Sequence, residues 1–134
     1  MTRLAFALPL LAAVAACSAD DRPFERSPRA ADRLASALEG YAPSETKKCI
    51  PDTRFPDIEA IDEKAILFKQ GRTIWLQTPD FGCARIGSPG YALVTESRTG
   101  QMCAGDTAKI LDTATGMIAG TCAFGEFTKY EKAD

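Results

Sequence analysis

Ala65-Ile66-Leu67-Phe68-Lys69-Gln70-Gly71-Arg72-Thr73-Ile74-Trp75-Leu76 is the stretch that decides the fold. Two apolar runs flank Gln70-Gly71, a two-residue hairpin signal. Pairing Lys69 with Arg72 sets Leu67 opposite Ile74 and Ala65 opposite Leu76 on one face. The other face then carries Ile66 opposite Trp75 and Phe68 opposite Thr73. Side chains alternate between faces along a strand, so apolar sets on both faces mark a hairpin covered on both sides. The expectation is a central ribbon between two layers.

Downstream, Tyr91 to Glu96 alternates as a strand, with Arg98-Thr99-Gly100 as its turn. Thr107 to Leu111 and Thr121 to Phe127 read as further strands, separated by a turn around Thr115-Gly116. Pro51, Pro56, Pro79 and Pro89 fall between the apolar runs, where a missing N–H does least harm. The strand pattern begins at Cys49. Before it, Ser27-Pro28 reads as an N-cap followed by Pro at the first helical position. Leu34, Leu38 and Tyr41 recur at helical spacing and Gly40 supplies a stop, predicting a helix over Pro28–Glu39. Its apolar stripe is narrow and Ala-rich, which predicts a loose seat on the domain. The fold class is mainly β: a small antiparallel sheet or barrel-like domain with one N-terminal helix.

At 134 residues, 46% hydrophobic and 25% charged, the chain has the size and balance of one globular domain. Sixteen Lys plus Arg against 18 Asp plus Glu give a net charge of −2. That lacks the basic excess of phosphate neutralisation, so nucleic acid is not an expected partner. There is no His. Its absence removes Ser-His-Asp and Cys-His nucleophiles, His-ligated zinc and the usual general base. No P-loop or G-x-G-x-x-G occurs, and no cofactor or metal is expected.

The N-terminus places Arg3 before an uncharged run, Leu4 to Ala16. A membrane span takes roughly 20 apolar residues, so this shorter run has the dimensions of a signal-peptide core. Val14-Ala15-Ala16-Cys17 resembles the lipobox of bacterial lipoproteins, in which cleavage leaves the Cys N-terminal and lipidated. Two or more acyl chains make such an anchor stable. By analogy with the sorting rule of enteric bacteria, Ser18 after the Cys favours the outer membrane. The expected organisation is a leader over 1–16, a lipid-anchored tether and helix over 17–45, and a β domain over 46–134.

Four Cys remain: Cys49, Cys83, Cys103 and Cys122. An oxidising periplasm makes an even count read as two disulfides, and no C-x-x-C supplies zinc or redox spacing. Three pairings are open. Cys49–Cys122 with Cys83–Cys103 is favoured, because the outer bond joins the first and last segments of the domain.

Cys49-Ile50, Ala65-Ile66-Leu67-Phe68, Cys83, Met102-Cys103-Ala104-Gly105-Asp106 and Cys122-Ala123-Phe124-Gly125-Glu126-Phe127 follow one another in order. That series resembles a family of small proteobacterial envelope lipoproteins classed as a domain of unknown function, over about Cys49 to Phe127. The resemblance implies an exported, disulfide-bonded domain and brings no catalytic residue.

Among side chains with chemistry, Asp106 follows Gly105 and reads as a turn-setting acid that bonds nearby backbone. Paired with Glu126 it is the carboxylate couple that glycosidic acid–base work requires. Asp57, Glu59, Asp62 and Glu63 lack the order of a calcium loop and read as a solvated face. Trp75 reads as core. Phe81, in Thr78-Pro79-Asp80-Phe81-Gly82, and Tyr91 are the candidate partner-binding aromatics of the loop Thr78 to Gly90. The functional expectation is a non-enzymatic binding or structural module facing the periplasm, with an envelope protein or cell-wall component as partner. The alternatives are an inhibitor of a hydrolase such as lysozyme and a small carboxylate-dependent hydrolase.

Overall fold

The computed structural model describes residues 22–52 and 57–134. In chain order the elements are α1 (Pro28–Ala37), β1 (Tyr41–Lys47), β2 (Cys49–Pro51), β3 (Asp57–Asp62), β4 (Ala65–Gln70) and β5 (Thr73–Gln77), followed by β6 (Tyr91–Thr95), β7 (Gln101–Cys103), β8 (Thr107–Asp112), β9 (Ile118–Ala123) and β10 (Phe127–Lys132). They form a five-stranded sheet in the order β1-β10-β5-β4-β3, a three-stranded sheet β6-β8-β9 and a ribbon β2-β7. Every pairing is antiparallel. The leader, Cys17, the start of the tether and Pro56 lie outside the described residues.

The central hairpin forms, but its turn is Gly71-Arg72 rather than Gln70-Gly71. Gln70 pairs with Thr73, Phe68 with Trp75 and Leu67 with Leu76. The cause is Gly71, whose φ of +57° suits the first central position of a type II′ turn, where Gly is the favoured residue. Each residue's partner moves by an even step, so the faces keep the composition read from the sequence.

Ile66, Phe68 and Trp75 join the main core with Ala108, Ile110 and Cys122 of the three-stranded sheet and with Phe124 and Phe127. Ala65, Leu67 and Ile74 face the other way, onto Ala30 and Leu34 of α1. Ile66, Leu67 and Phe68 are wholly buried, as a hairpin covered on both faces requires. Phe68, Phe124 and Phe127 meet edge-on with centroids 5.8 to 6.1 Å apart. Full burial of one such ring contributes about 1.5–3 kcal/mol.

Ser27 caps α1, its Oγ accepting the Ala30 N–H at 3.2 Å, with Pro28 in the first turn. The helix stops at Ala37, short of Glu39. Leu38 leaves helical geometry, the Glu39 N–H turns to the Ser36 carbonyl, and Gly40 takes φ +77°. Nor is the seat loose. The Arg33 guanidinium donates to the carbonyls of Ala60 (3.1 Å) and Ile61 (3.3 Å) and to Glu59 (3.3 Å), while Arg26 pairs with Asp62.

The sheet also starts earlier than Cys49. Tyr41–Lys47 is a full strand that pairs with β10 from Tyr41↔Lys132 to Lys47↔Phe127. The apolar run Thr121 to Phe127 is not one strand. Its ladder with β8 ends at Ala123, and a new ladder with β5 starts at Phe127. Between them Gly125 passes so close to Thr78 that a Cβ would stand 2.1 Å from the Thr78 carbonyl oxygen.

The disulfides are Cys49–Cys103 and Cys83–Cys122, correcting the pairing favoured from sequence. The chain ends of the domain are joined by the β1–β10 ladder, so no covalent bond is needed there. Cys49 and Cys103 instead sit directly opposite each other in the β2–β7 ribbon. Cys83 ties the β5–β6 loop to β9.

Candidate functional site

The loop Thr78 to Gly90 joins the five-stranded sheet to the three-stranded sheet and is fastened along its length. Lys64 Nζ donates to the Pro79 carbonyl at 3.1 Å and to the Asp80 carbonyl. The Gly82 N–H returns to Pro79, and the Cys83 N–H donates to the Glu63 carbonyl at 2.7 Å. Cys83 is wholly buried in its bond to Cys122, and Ile86 enters the main core. At Gly87, with φ +84°, a Cβ would lie 2.9 Å from the Ile61 carbonyl oxygen, so only glycine fits. Arg85 holds φ +72°, a left-handed conformation uncommon outside glycine. Its guanidinium donates to the Tyr91 hydroxyl at 3.0 Å and covers that ring.

Against this fixed background Phe81 stands 95% exposed. The two aromatics singled out in the sequence therefore part company. Tyr91 is half-buried against the main core and engaged by Arg85, whereas Phe81 projects alone.

Beside Phe81 lies a cleft of about 810 Å³ whose walls include Asp80, Gly105, Glu126, Thr46 and Thr128. Among the described residues no ion pair involves the Asp80 or Glu126 carboxylate. The cleft thus combines a protruding ring, two acidic groups and threonine hydroxyls. Asp80 adjoins Phe81 in the sequence, whereas Glu126 was not legible as a neighbour because it arrives there only through the crossing at Gly125.

Asp106 has the turn-setting role read for it. Its Oδ2 accepts the Cys103 N–H at 2.7 Å, and its own N–H donates to the Cys103 carbonyl. It lines a different cavity, with Glu96, Arg98 and Gln101, so the structure does not place it with Glu126 in one cleft. The acidic stretch is more than a solvated face. Glu59 bonds Lys69 at 2.7 Å and Arg33 at 3.3 Å, and Asp57 lies 3.5 Å from Lys69. The Lys69 hydrogen bond is the main cause that holds the Glu59 carboxyl below its ordinary range, and Glu59 in turn raises Lys69. Arg26 and Arg33, the cations that use these acids to fasten α1, were missed in the sequence. Arg26 precedes the N-cap and Arg33 lies within α1, so no common helical spacing marked them.

Trp75 is core, as read, at 7% exposure. Gln77 is wholly buried on the same face, with Nε2 donating to the Gly125 carbonyl at 2.9 Å and Oε1 lacking a partner among the described residues. No group of three metal-ligating side chains gathers among the described residues. No helix there is long and apolar enough to cross a membrane. No family model matches this chain, and no curated protein or solved structure matches it either.

Proposed function

We propose that this chain is a bacterial envelope lipoprotein, anchored through Cys17, whose β domain binds a protein or cell-wall component through the Thr78 to Gly90 loop. The observation that carries the reading is Phe81, 95% exposed on a loop fastened by a disulfide and by Lys64. Leaving a phenyl ring in water forgoes about 1.5–3 kcal/mol of burial, and a pre-ordered loop recovers it on binding with little ordering cost. Buried aromatic anchors dominate interface energetics in this way. The anchor itself rests on the leader, on Val14-Ala15-Ala16-Cys17 and on the family resemblance.

The test is cross-linking and capture in the native envelope with the full-length, lipid-anchored chain, beside its Phe81→Ala variant. Because Phe81 packs on little, the variant keeps its stability within about 0.5 kcal/mol. The expected result is one stoichiometric protein or glycan partner whose affinity falls by about tenfold or more in the variant. Capture of background proteins alone, or of a partner indifferent to Phe81, overturns the proposal.

A further inference from the structure

A second surface shares no lining residue with the Phe81 cleft, although the far end of the same loop borders it, and it does not rest on the Phe81 reading. β6 is an outer strand of the three-stranded sheet. The Thr113 N–H donates to the Gly90 carbonyl at 2.9 Å, extending the β6–β8 ladder one pair past Tyr91↔Asp112. Antiparallel bonds fall on alternate pairs, so the ladder uses the main-chain groups of Gly90, Ala92 and Val94. Those of Tyr91, Leu93 and Thr95 point away from the sheet. Among the described residues no loop backbone bonds to them.

Proteins usually blunt such an edge with charge, proline or a bulge. The other outer strands of the two larger sheets do so. β1 carries Pro43, Glu45 and a register break, and β3 carries Asp57, Glu59, Asp62 and a register break. β9 is uncharged but is broken in register opposite Ile110 and Leu111. β6, Tyr-Ala-Leu-Val-Thr, has no charge, no proline and an unbroken register. Alongside it runs a groove of about 480 Å³, with Ile58, Ala60, Ile86 and Pro89 lining it together with Ala92 and Leu93. Among the described residues no charged side chain lines this groove.

We propose that β6 receives a strand. An extended, uncharged segment of a partner protein adds to its edge, pairs with the outward main-chain groups of Tyr91, Leu93 and Thr95, and lays apolar side chains into the groove against Ile58 and Ala60. Strand addition takes affinity from main-chain bonds and specificity from alternate side chains, and both elements are present here. The uncharged lining selects an apolar segment, because a buried charge without a partner is costly. A single strand fits better than a second copy of this chain, whose β6 would bring with it the acidic β3 that flanks the same groove from the other sheet.

The test uses the full-length chain with its disulfides formed, followed residue by residue by amide hydrogen exchange. The probe is an end-blocked Val-Thr-Val-Thr-Val peptide, compared with the same peptide N-methylated at alternate amides and with one bearing Lys for Val. In the free protein the Leu93 and Thr95 amides exchange faster than those of Ala92 and Val94 by about tenfold or more, and the parent peptide slows them by a similar factor. N-methylation or Lys substitution weakens binding by about tenfold or more, the equivalent of one or two lost interactions. Three results each overturn the proposal: Leu93 and Thr95 already as protected as Ala92 and Val94, no protection by the parent peptide at about 1 mM, or equal binding of the N-methylated form.

Discussion

The two larger sheets are built to different standards of self-sufficiency. The five-stranded sheet is covered on both faces, by α1 on one side and the main core on the other. Its outer strands carry a proline, register breaks and carboxylates, and the carboxylates of β3 bind Lys69, Arg33 and Arg26. The three-stranded sheet gives the core only one face, through residues such as Ala108, Ile110 and Cys122. It is fastened by the Cys83–Cys122 bond and leaves β6 unguarded. A scaffold that satisfies itself leaves little to bind with. Of the features suited to a partner, the β6 edge lies on the less self-sufficient sheet and Phe81 on the loop that joins the two sheets.

Replacing Cys83 and Cys122 together by Ala gives the largest effect. The bond closes a separation of 39 residues, and a loop of that length is worth about 4 kcal/mol in the chain-entropy account. Denaturant unfolding measures the total loss. Hydrogen exchange then sharpens the comparison, because Ala108 and Ile110 are expected to lose more protection than Leu67 and Trp75. Equal loss in both sheets breaks the distinction between them.

What the sequence disclosed follows the same division. The two-faced hairpin was legible because apolar residues occupy both parities of Ala65–Phe68 and Ile74–Leu76, and a register error of even step leaves parity intact. β1 and β10 were not legible. Tyr41-Ala42-Pro43-Ser44-Glu45 and Thr128-Lys129-Tyr130-Glu131 are largely polar strands held by distant ladder partners, β1 by β10 and β10 also by β5, a non-local fact. The disulfide pairing failed for the same reason, since the ends already meet without cysteine. Phe81 was legible from its Thr-Pro-Asp-Phe-Gly setting, which marks a turn that cannot bury its ring. The openness of β6 was not, because being an outer strand is a property of strand order and not of Tyr91–Thr95.

The join between the sheets gives the next effect. Gly125→Ala forces a methyl group into space 2.1 Å from the Thr78 carbonyl oxygen and disturbs the Gln77–Gly125 bond. The clash is with backbone, so the chain itself must move, at about 1–3 kcal/mol. A fall in stability with an unchanged denaturant slope is expected, because β9 and β10 separate together. An Ala variant as stable as the parent shows that the crossing has room and that the two sheets are not tightly coupled there.

The smallest effect tests the ion pairs of β3. The folded state holds Glu59 below its ordinary pKa of 4.5, chiefly through the Lys69 hydrogen bond, so it binds the proton less readily than the unfolded chain. The stability this confers is complete above the ordinary value and is lost as the pH falls through the lowered one. Lys69, raised above 10.5, contributes stability that is present below its ordinary value and lost as the pH rises through the raised one. Both side chains remain partly in water, which limits the pair to about 1 kcal/mol or less. Glu59→Gln is therefore expected to flatten the acid limb of the stability profile slightly, and salt of about 1 M to remove most of the difference. Glu96 next to the three-stranded sheet is held low by Lys109 in the same sense but is more exposed than Glu59, so Glu96→Gln moves the acid limb less. If the two variants shift it equally, the ion pairs of β3 fasten nothing, and burial alone separates the two sheets.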